Sequence, residues 1–187
     1  MKNQILRIIG GKWRSRKLSF PSNIQQLRPT SDRIRETVFN WLSHDIIDSD
    51  CLDVFAGSGA LGIEALSRGA SSCTFIEKAK LAYIQLKKNL TMLDAENSTC
   101  LSGDALKLLS KLDHRYDLIF LDPPFSAELL PELVTLILQN QLLKQNGLIY
   151  FEMDAKTKLD LILENKKLQL TKHKVSGNVC YGLLKFN

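Results

Sequence analysis

Acidic residues are missing from the first 31 positions of this chain, cysteines are few, and no apolar run is long. Each absence excludes something. The apolar runs fall far short of the roughly 20 residues that a membrane-spanning helix needs. Met1-Lys2-Asn3-Gln4 leads into basic residues without the apolar centre of a signal peptide. The expectation is a soluble, cytoplasmic protein without a membrane partner. The 4 cysteines, at 51, 73, 100 and 180, form no Cys-x-x-Cys pair, and at least three sit in apolar, strand-like runs. They read as buried free thiols rather than disulfides or metal ligands. His44, His114 and His173 stand in separate segments without ligand spacing, so no metal is expected. Repeats, low-complexity tracts and a second-domain linker are also lacking. The 187 residues, 44% hydrophobic and 24% charged, read as one domain with a sizeable core.

What is there begins with a one-sided charge. Through Ser31 the chain holds 7 basic residues, and residues 1 to 40 carry a net of +7 where the whole chain carries +5, leaving −2 for the remainder. Such a surplus suits a surface that meets a polyanion. Within it, ILRIIGGKWRSRKLSF (5 to 20) sets two half-apolar runs around Gly10-Gly11 and predicts a β-hairpin closed by those glycines. Its outer face would present Arg7, Lys12, Arg14, Arg16 and Lys17. Trp13 lies among these cations and either stacks on an unpaired base or covers the apolar side of the hairpin. RPTSD (28 to 32) reads as a helix start with Thr30 or Ser31 as cap, followed by an apolar stripe of Ile34, Val38, Trp41 and Leu42. Arg28, Arg33 and Arg35 join the candidate contacts to the polyanion.

From Cys51 onward strand and helix signals alternate. CLDVF, SCTFIE, STCLSG, YDLIFLD and GLIYFEM read as short strands, separated by helical stretches near 60 to 69, 79 to 93, 104 to 112, 127 to 140 and 155 to 164. This predicts an α/β fold: a parallel sheet with helices on both faces. LQLTKHKV and VCYGLLKF flank Ser176-Gly177-Asn178 too closely for a crossover helix, so they should form an antiparallel hairpin at one sheet edge, giving seven strands.

In an open α/β sheet ligands collect at the carboxyl ends of the strands, so the residues found there carry the functional reading. The first sheet strand runs into DVFAGSGALGIEAL, where Gly57, Gly59 and Gly62 make a GxGxxG turn that lets backbone approach a ligand. Dinucleotide and adenosyl cofactors share that turn. Asp53 discriminates, because a carboxylate just before the turn repels a pyrophosphate and attracts the ammonium and sulfonium of S-adenosylmethionine. Glu77 ends the next strand, where it can accept from ribose hydroxyls. Asp104 opens a helix after the third strand and is either a cap or a partner of the adenine amine. Phe55, Lys78 and Ala105 complete the candidate cofactor set.

RYDLIFLDPPF (115 to 125) would bring Asp122-Pro123-Pro124-Phe125 out beside the glycine turn. Two prolines remove two N–H donors and hold an extended turn whose carbonyls stay free to accept. Such acceptors suit an exocyclic base amine, with Asp122 and the Pro123 carbonyl holding its hydrogens and Phe125 stacking on the base.

Together, RPTSDRIRE (28 to 36), DVFAGSGALGIEALSRGA (53 to 70), FIEK (75 to 78), GDA (103 to 105) and FLDPPF (120 to 125) resemble the bacterial small-subunit rRNA methyltransferase D family. The resemblance covers nearly the whole chain, in order and in length. It implies a class I methyltransferase, Rossmann-like sheet with an N-terminal β-hairpin extension (1 to 27) on a catalytic core (28 to 187). It also implies S-adenosylmethionine as cofactor and methylation of the N2 amine of one guanine in 16S rRNA. Asp53, Gly57, Gly59, Glu77 and Asp104 would be cofactor contacts and Asp122 to Phe125 the target-amine site. The partner would be an assembled or partly assembled small subunit, met by a monomer. DPPF also occurs in DNA adenine-N6 methyltransferases, and a noncatalytic RNA-binding assembly factor could keep this fold; both stand as alternatives.

Overall fold

The N-terminal strands β1 (Asn3–Arg7) and β2 (Lys17–Pro21) alternate in burial because only one face of the ribbon meets protein. They pair antiparallel, with Leu6 opposite Leu18. The computed structural model describes residues 3–21, 30–124, 129–163 and 167–186. Gly10-Gly11 do not form the tight turn expected of them. The strands stop at Arg7 and Lys17, and a longer loop runs between them, in which Ser15 adopts φ 69°. Gly11 serves a different end. Its φ is 76°, and a Cβ there would lie 1.8 Å from the Ser67 carbonyl oxygen, so only glycine lets the loop close onto that helix terminus.

Helix α1 (Asp32–Trp41) starts where Ser31 accepts from the Ile34 amide, 3.3 Å away. Ser31 is therefore the cap, and Thr30 is left for other work. The alternating region then forms β3 (Asp50–Asp53), α2 (Ala60–Ser67), β4 (Ser72–Glu77), α3 (Lys80–Met92), β5 (Ser98–Ser102), α4 (Ala105–Leu109), β6 (Tyr116–Leu121), α5 (Leu129–Gln139), β7 (Leu143–Asp154) and α6 (Asp160–Leu163). The hairpin β8 (Leu168–Ser176) and β9 (Val179–Phe186) follows. The seven-stranded sheet has order β5-β4-β3-β6-β7-β9-β8, parallel from β5 to β7 and antiparallel beyond. β6 is buried along nearly its whole length, as a central parallel strand covered on both faces must be.

Two apolar layers flank this sheet. One gathers Leu6, Ile8, Trp13, Leu18 and Phe20 from the hairpin with Val38, Phe39, Ile63, Leu86 and Leu90 from α1, α2 and α3. The other joins α4, α5 and α6 to the opposite face. The hairpin, an extension by sequence, thus shares its core with the sheet. Of the cysteines, Cys51, Cys73 and Cys180 are buried and Cys100 half-buried, all as free thiols.

Candidate functional site

Strand order reverses between β3 and β6, so the loops after them diverge and leave a crevice at their carboxyl ends. Asp53 is the last residue of β3 and lies opposite Phe120 of β6. The Val54 amide bonds the Phe120 carbonyl at 3.1 Å, and the Ala56 amide bonds the Ile76 carbonyl at 2.9 Å, which pins the glycine loop across three strands. Gly57 and Gly59 take φ of 52° and 82°. Gly62 has a packing role: a Cβ there would meet the Phe75 ring at 2.3 Å, so α2 lies close on β4 only without one. Its amide donates to Asp53 Oδ2 at 3.0 Å.

Asp53 is 2% exposed, and burial pushes its carboxyl up to about 7, with the Glu77 charge adding to the rise and the Gly62 amide opposing it. Glu77 is fixed at both oxygens. Oε2 accepts from the Gly57 amide at 2.7 Å and Oε1 from the Ala79 amide at 2.6 Å. Each oxygen keeps a further lone pair for a ligand hydroxyl. Lys78 Nζ lies 3.0 Å from Asp104 Oδ2, and that contact holds the Asp104 carboxyl below its usual range. Asp104 makes no side-chain cap bond to α4, so its second expected role stays open to a ligand. Phe55 is half-buried and Ala105 buried at the same ends. Within the glycine loop, the Ser58 hydroxyl is buried with no hydrogen-bond partner among the described residues. A buried orphan hydroxyl between two glycines of positive φ fits a loop built to receive a polar ligand.

Asp122 follows β6 immediately, with Pro123 buried and Pro124 exposed after it. Phe125 and Arg28 lie outside the described residues. The strand end therefore brings Asp122 beside Asp53 and the glycine loop, the grouping expected from the motifs. Sequence reasoning passed over Asp122's neighbours. The Thr30 hydroxyl stands 3.2 Å from Asp122 Oδ2 and 2.7 Å from Glu152 Oε1, and the Tyr150 hydroxyl donates to the same Glu152 oxygen at 2.7 Å. Burial, then the adjacent Glu152 charge, pushes the Asp122 carboxyl well above its usual range, while Thr30 opposes the rise. A glutamate inside the apolar strand GLIYFEM was the available signal, since a carboxylate at a core position needs partners.

The basic candidates divide. Arg7, Lys12, Arg14, Arg16, Lys17 and Arg33 are exposed. Arg35 is not: it is fully buried, with Nη1 3.3 Å from Glu64 Oε2 and Nη2 bonded to Asp32 and to the Arg7 carbonyl. Its helical position turns it toward the core, so it is a structural cation rather than an RNA contact. Trp13 is 7% exposed, with Lys12 Nζ 4.3 Å from its ring centroid. It covers the apolar side of the hairpin and has no free face for a base, which settles its two readings in favour of packing.

The family described as conserved hypothetical protein 95 matches residues 6–185. The ribosomal RNA small subunit methyltransferase D of Escherichia coli is 45% identical over 178 residues, spanning 95% of this chain and 88% of that one. The Haemophilus influenzae protein of the same name is 45% identical over 182 residues, spanning 95% and 92%. The solved yhhF structure of Escherichia coli superposes with a TM-score of 0.91 at 43% identity, covering 98% of this chain and 99% of that one.

Proposed function

The chain belongs to the ribosomal RNA small subunit methyltransferase D family, and on that premise we propose that it methylates the exocyclic N2 amine of a guanine in 16S rRNA. S-adenosylmethionine is the methyl donor, and when bound it supplies an electrophilic methyl on a sulfonium. The residues suited to hold it are Asp53, Phe55, Gly57, Gly59, Glu77, Lys78, Asp104 and Ala105. The observation that carries this reading is the convergence of Asp122, the glycine loop and Glu77 at the carboxyl ends of three adjacent strands.

The work of the protein is to bind, orient and accept. Glu77, held by two backbone amides, offers fixed acceptors to ribose hydroxyls. Asp53 offers negative charge to a cationic ligand, which favours its ionised form and offsets the burial that raises its carboxyl to about 7. Asp122 and the Pro123 carbonyl accept from the amine hydrogens, which draws the nitrogen lone pair out of the ring and toward the methyl. Phe125 supplies the stacking surface. Transfer makes the nitrogen cationic and therefore strongly acidic, so its proton leaves without a dedicated histidine base. The exposed Arg7, Lys12, Arg14, Arg16, Lys17 and Arg33 meet phosphates of the small subunit. Among the described residues no helix is long and apolar enough to cross a membrane, and the reading is of a monomer acting on an assembled or partly assembled subunit in the cytoplasm.

The test is transfer of labelled methyl to small subunits that lack the modification, followed by nucleoside analysis. N2-methylguanosine is the expected product. Label on adenine N6, or none on RNA at all, overturns the assignment.

A further inference from the structure

Thr30 occupies a place in RPTSDRIRE that helix capping does not explain, because Ser31 makes the cap bond. Its side chain is 6% exposed, and its hydroxyl bridges two carboxyl groups from different strands, Glu152 Oε1 at 2.7 Å and Asp122 Oδ2 at 3.2 Å. A hydroxyl has one proton and can donate to only one of them. The other contact is a hydrogen bond only if that carboxyl is protonated and donates to the Thr30 oxygen. No ion pair reaches either carboxyl among the described residues. Glu152 is buried and Asp122 half-buried, and with no cation against either among the described residues, ionising both would set two like charges on one hydroxyl.

We propose that Asp122 and Glu152 share one proton through the Thr30 hydroxyl, and that Glu152 is a positioning residue which holds this proton when Asp122 faces the guanine amine. The inference rests on the reading of Asp122 as the target-amine acceptor. Two arrangements satisfy the distances. In one, protonated Glu152 donates to Thr30 and Thr30 donates to ionised Asp122. In the other, protonated Asp122 donates to Thr30, and Thr30 and Tyr150 both donate to ionised Glu152. The N–H donors of a bound guanine amine select the first, because they need an acceptor at Asp122.

During transfer the nitrogen lone pair forms the new bond to the methyl carbon, and the methyl–sulfur bond breaks with its electrons left on sulfur. The N–H bond of the cationic amine then breaks, its electrons return to nitrogen, and an O–H bond forms on Asp122. The pair is then neutral, and its extra proton returns to water when the product leaves. The groups that bear on the pair are Asp53 at the end of β3, which repels charge on Asp122, and Tyr150 on β7, itself influenced by Tyr181 on β9. Burial raises both carboxyls of the pair above their ordinary values.

Two measurements test the pair. In ligand-free protein labelled with ¹³C at aspartate and glutamate carboxyls, NMR titration should show Asp122 and Glu152 responding in two shared steps. Glu152→Gln, which keeps the shape and a donor toward Thr30, should reduce Asp122 to one step. Thr30→Ser should keep two steps, whereas Thr30→Val should weaken the coupling. Single-turnover methylation by the parent should fall on the alkaline side as Glu152 ionises, and that limb should vanish in Glu152→Gln. Independent one-step titrations in the parent, or an unchanged alkaline limb in Glu152→Gln, overturn the shared proton. Failure of the underlying reading looks different: Asp122→Asn would methylate at the parent rate while the coupled titration in the parent persists.

Discussion

Asp53, Glu77 and Asp122 stand at the carboxyl ends of three neighbouring strands, yet each meets a different environment, and single substitutions should separate them. Asp122→Ala is expected to slow single-turnover methylation by roughly two orders of magnitude, the scale for losing a transition-state hydrogen-bond partner. Cofactor affinity should change little. Glu77→Ala should weaken cofactor binding by about 1.5 to 3 kcal/mol, since it removes charged acceptors and also releases the Gly57 and Ala79 amides. Calorimetry that found equal cofactor loss in the two variants would end this division. Asp53 makes a third case. Its carboxyl is pushed up to about 7 from an ordinary 3.8, so the folded protein binds its proton more tightly than the unfolded chain does. The stability from that preference is complete below pH 4 and is lost as pH rises through 7. Asp53→Asn has no proton to lose, and its amide oxygen can still accept from Gly62. Its stability relative to the parent should therefore rise between pH 4 and pH 8 by roughly 2 to 4 kcal/mol. Urea denaturation across that range checks it, and a flat difference would mean that Asp53 is ionised in the folded protein throughout.

At the scale of elements, Glu64 of α2 holds the molecule's N-terminal parts together. It is fully buried and accepts from the Ile9 and Gly10 amides of the hairpin loop at 2.9 and 2.8 Å, from Arg35 of α1 and from Arg68 at the C-cap of its own helix. Ser67, at the end of α2, receives the Lys12 amide at its carbonyl and the Trp13 amide at its hydroxyl. The loop thereby caps the helix C-terminus, whose last carbonyls lack partners within the helix. Arg35→Met leaves Glu64 with one cation fewer and the Arg7 carbonyl without a donor. A loss of about 3 kcal/mol is expected, the low end for breaking a buried pair because Arg68 remains. Arg33→Met, on the exposed side of the same helix, should shift stability by less than about 0.5 kcal/mol. Equal losses by chemical denaturation would contradict the division of α1 into a buried cation and a free one.

For the whole molecule, the decisive geometry is where the hairpin puts its charge. α2 runs from the glycine loop to Ser67, and α3 from Lys80 to Met92, whose carbonyl accepts from Arg16 at 3.1 Å. At 1.5 Å per residue the 13-residue helix α3 is about 20 Å long. Lys12, Arg14 and Arg16 therefore gather at the end of the sheet away from Glu77, and the RNA must reach that far to touch them. Neutralising each should reduce the slope of log affinity against log salt by roughly 0.7 to 0.9 for the small subunit, and leave a short oligonucleotide around the target guanine unaffected. Equal effects on both substrates would place the cations next to the target base instead. Deleting the hairpin is a poor test, since Leu6, Ile8, Leu18 and Phe20 are part of the core.

Local pattern by itself determined the alternating elements, the sheet class and which residues close the strands. Strand periodicity, a GxGxxG turn and a proline pair are properties of neighbours in sequence, and SCTFIE and VCYGLLKF match β4 and β9 residue for residue. It also identified the carboxylates at those ends, because an acidic residue at the close of an apolar strand stands out. Tertiary structure alone decided the rest. Gly11 looked like a turn residue and proved to be a docking residue, because its neighbour, the Ser67 carbonyl, is 56 positions away in the chain. Arg35 looked like one more surface cation, but the partner that buries it, Glu64, sits on another helix. Thr30 and Glu152, separated by 122 residues, meet over Asp122 only once β6 and β7 lie side by side. Sequence spacing reports on hydrogen bonds and faces within one element; the charge pairs and bridging hydroxyls of the interior depend on distances that the packing of the sheet creates.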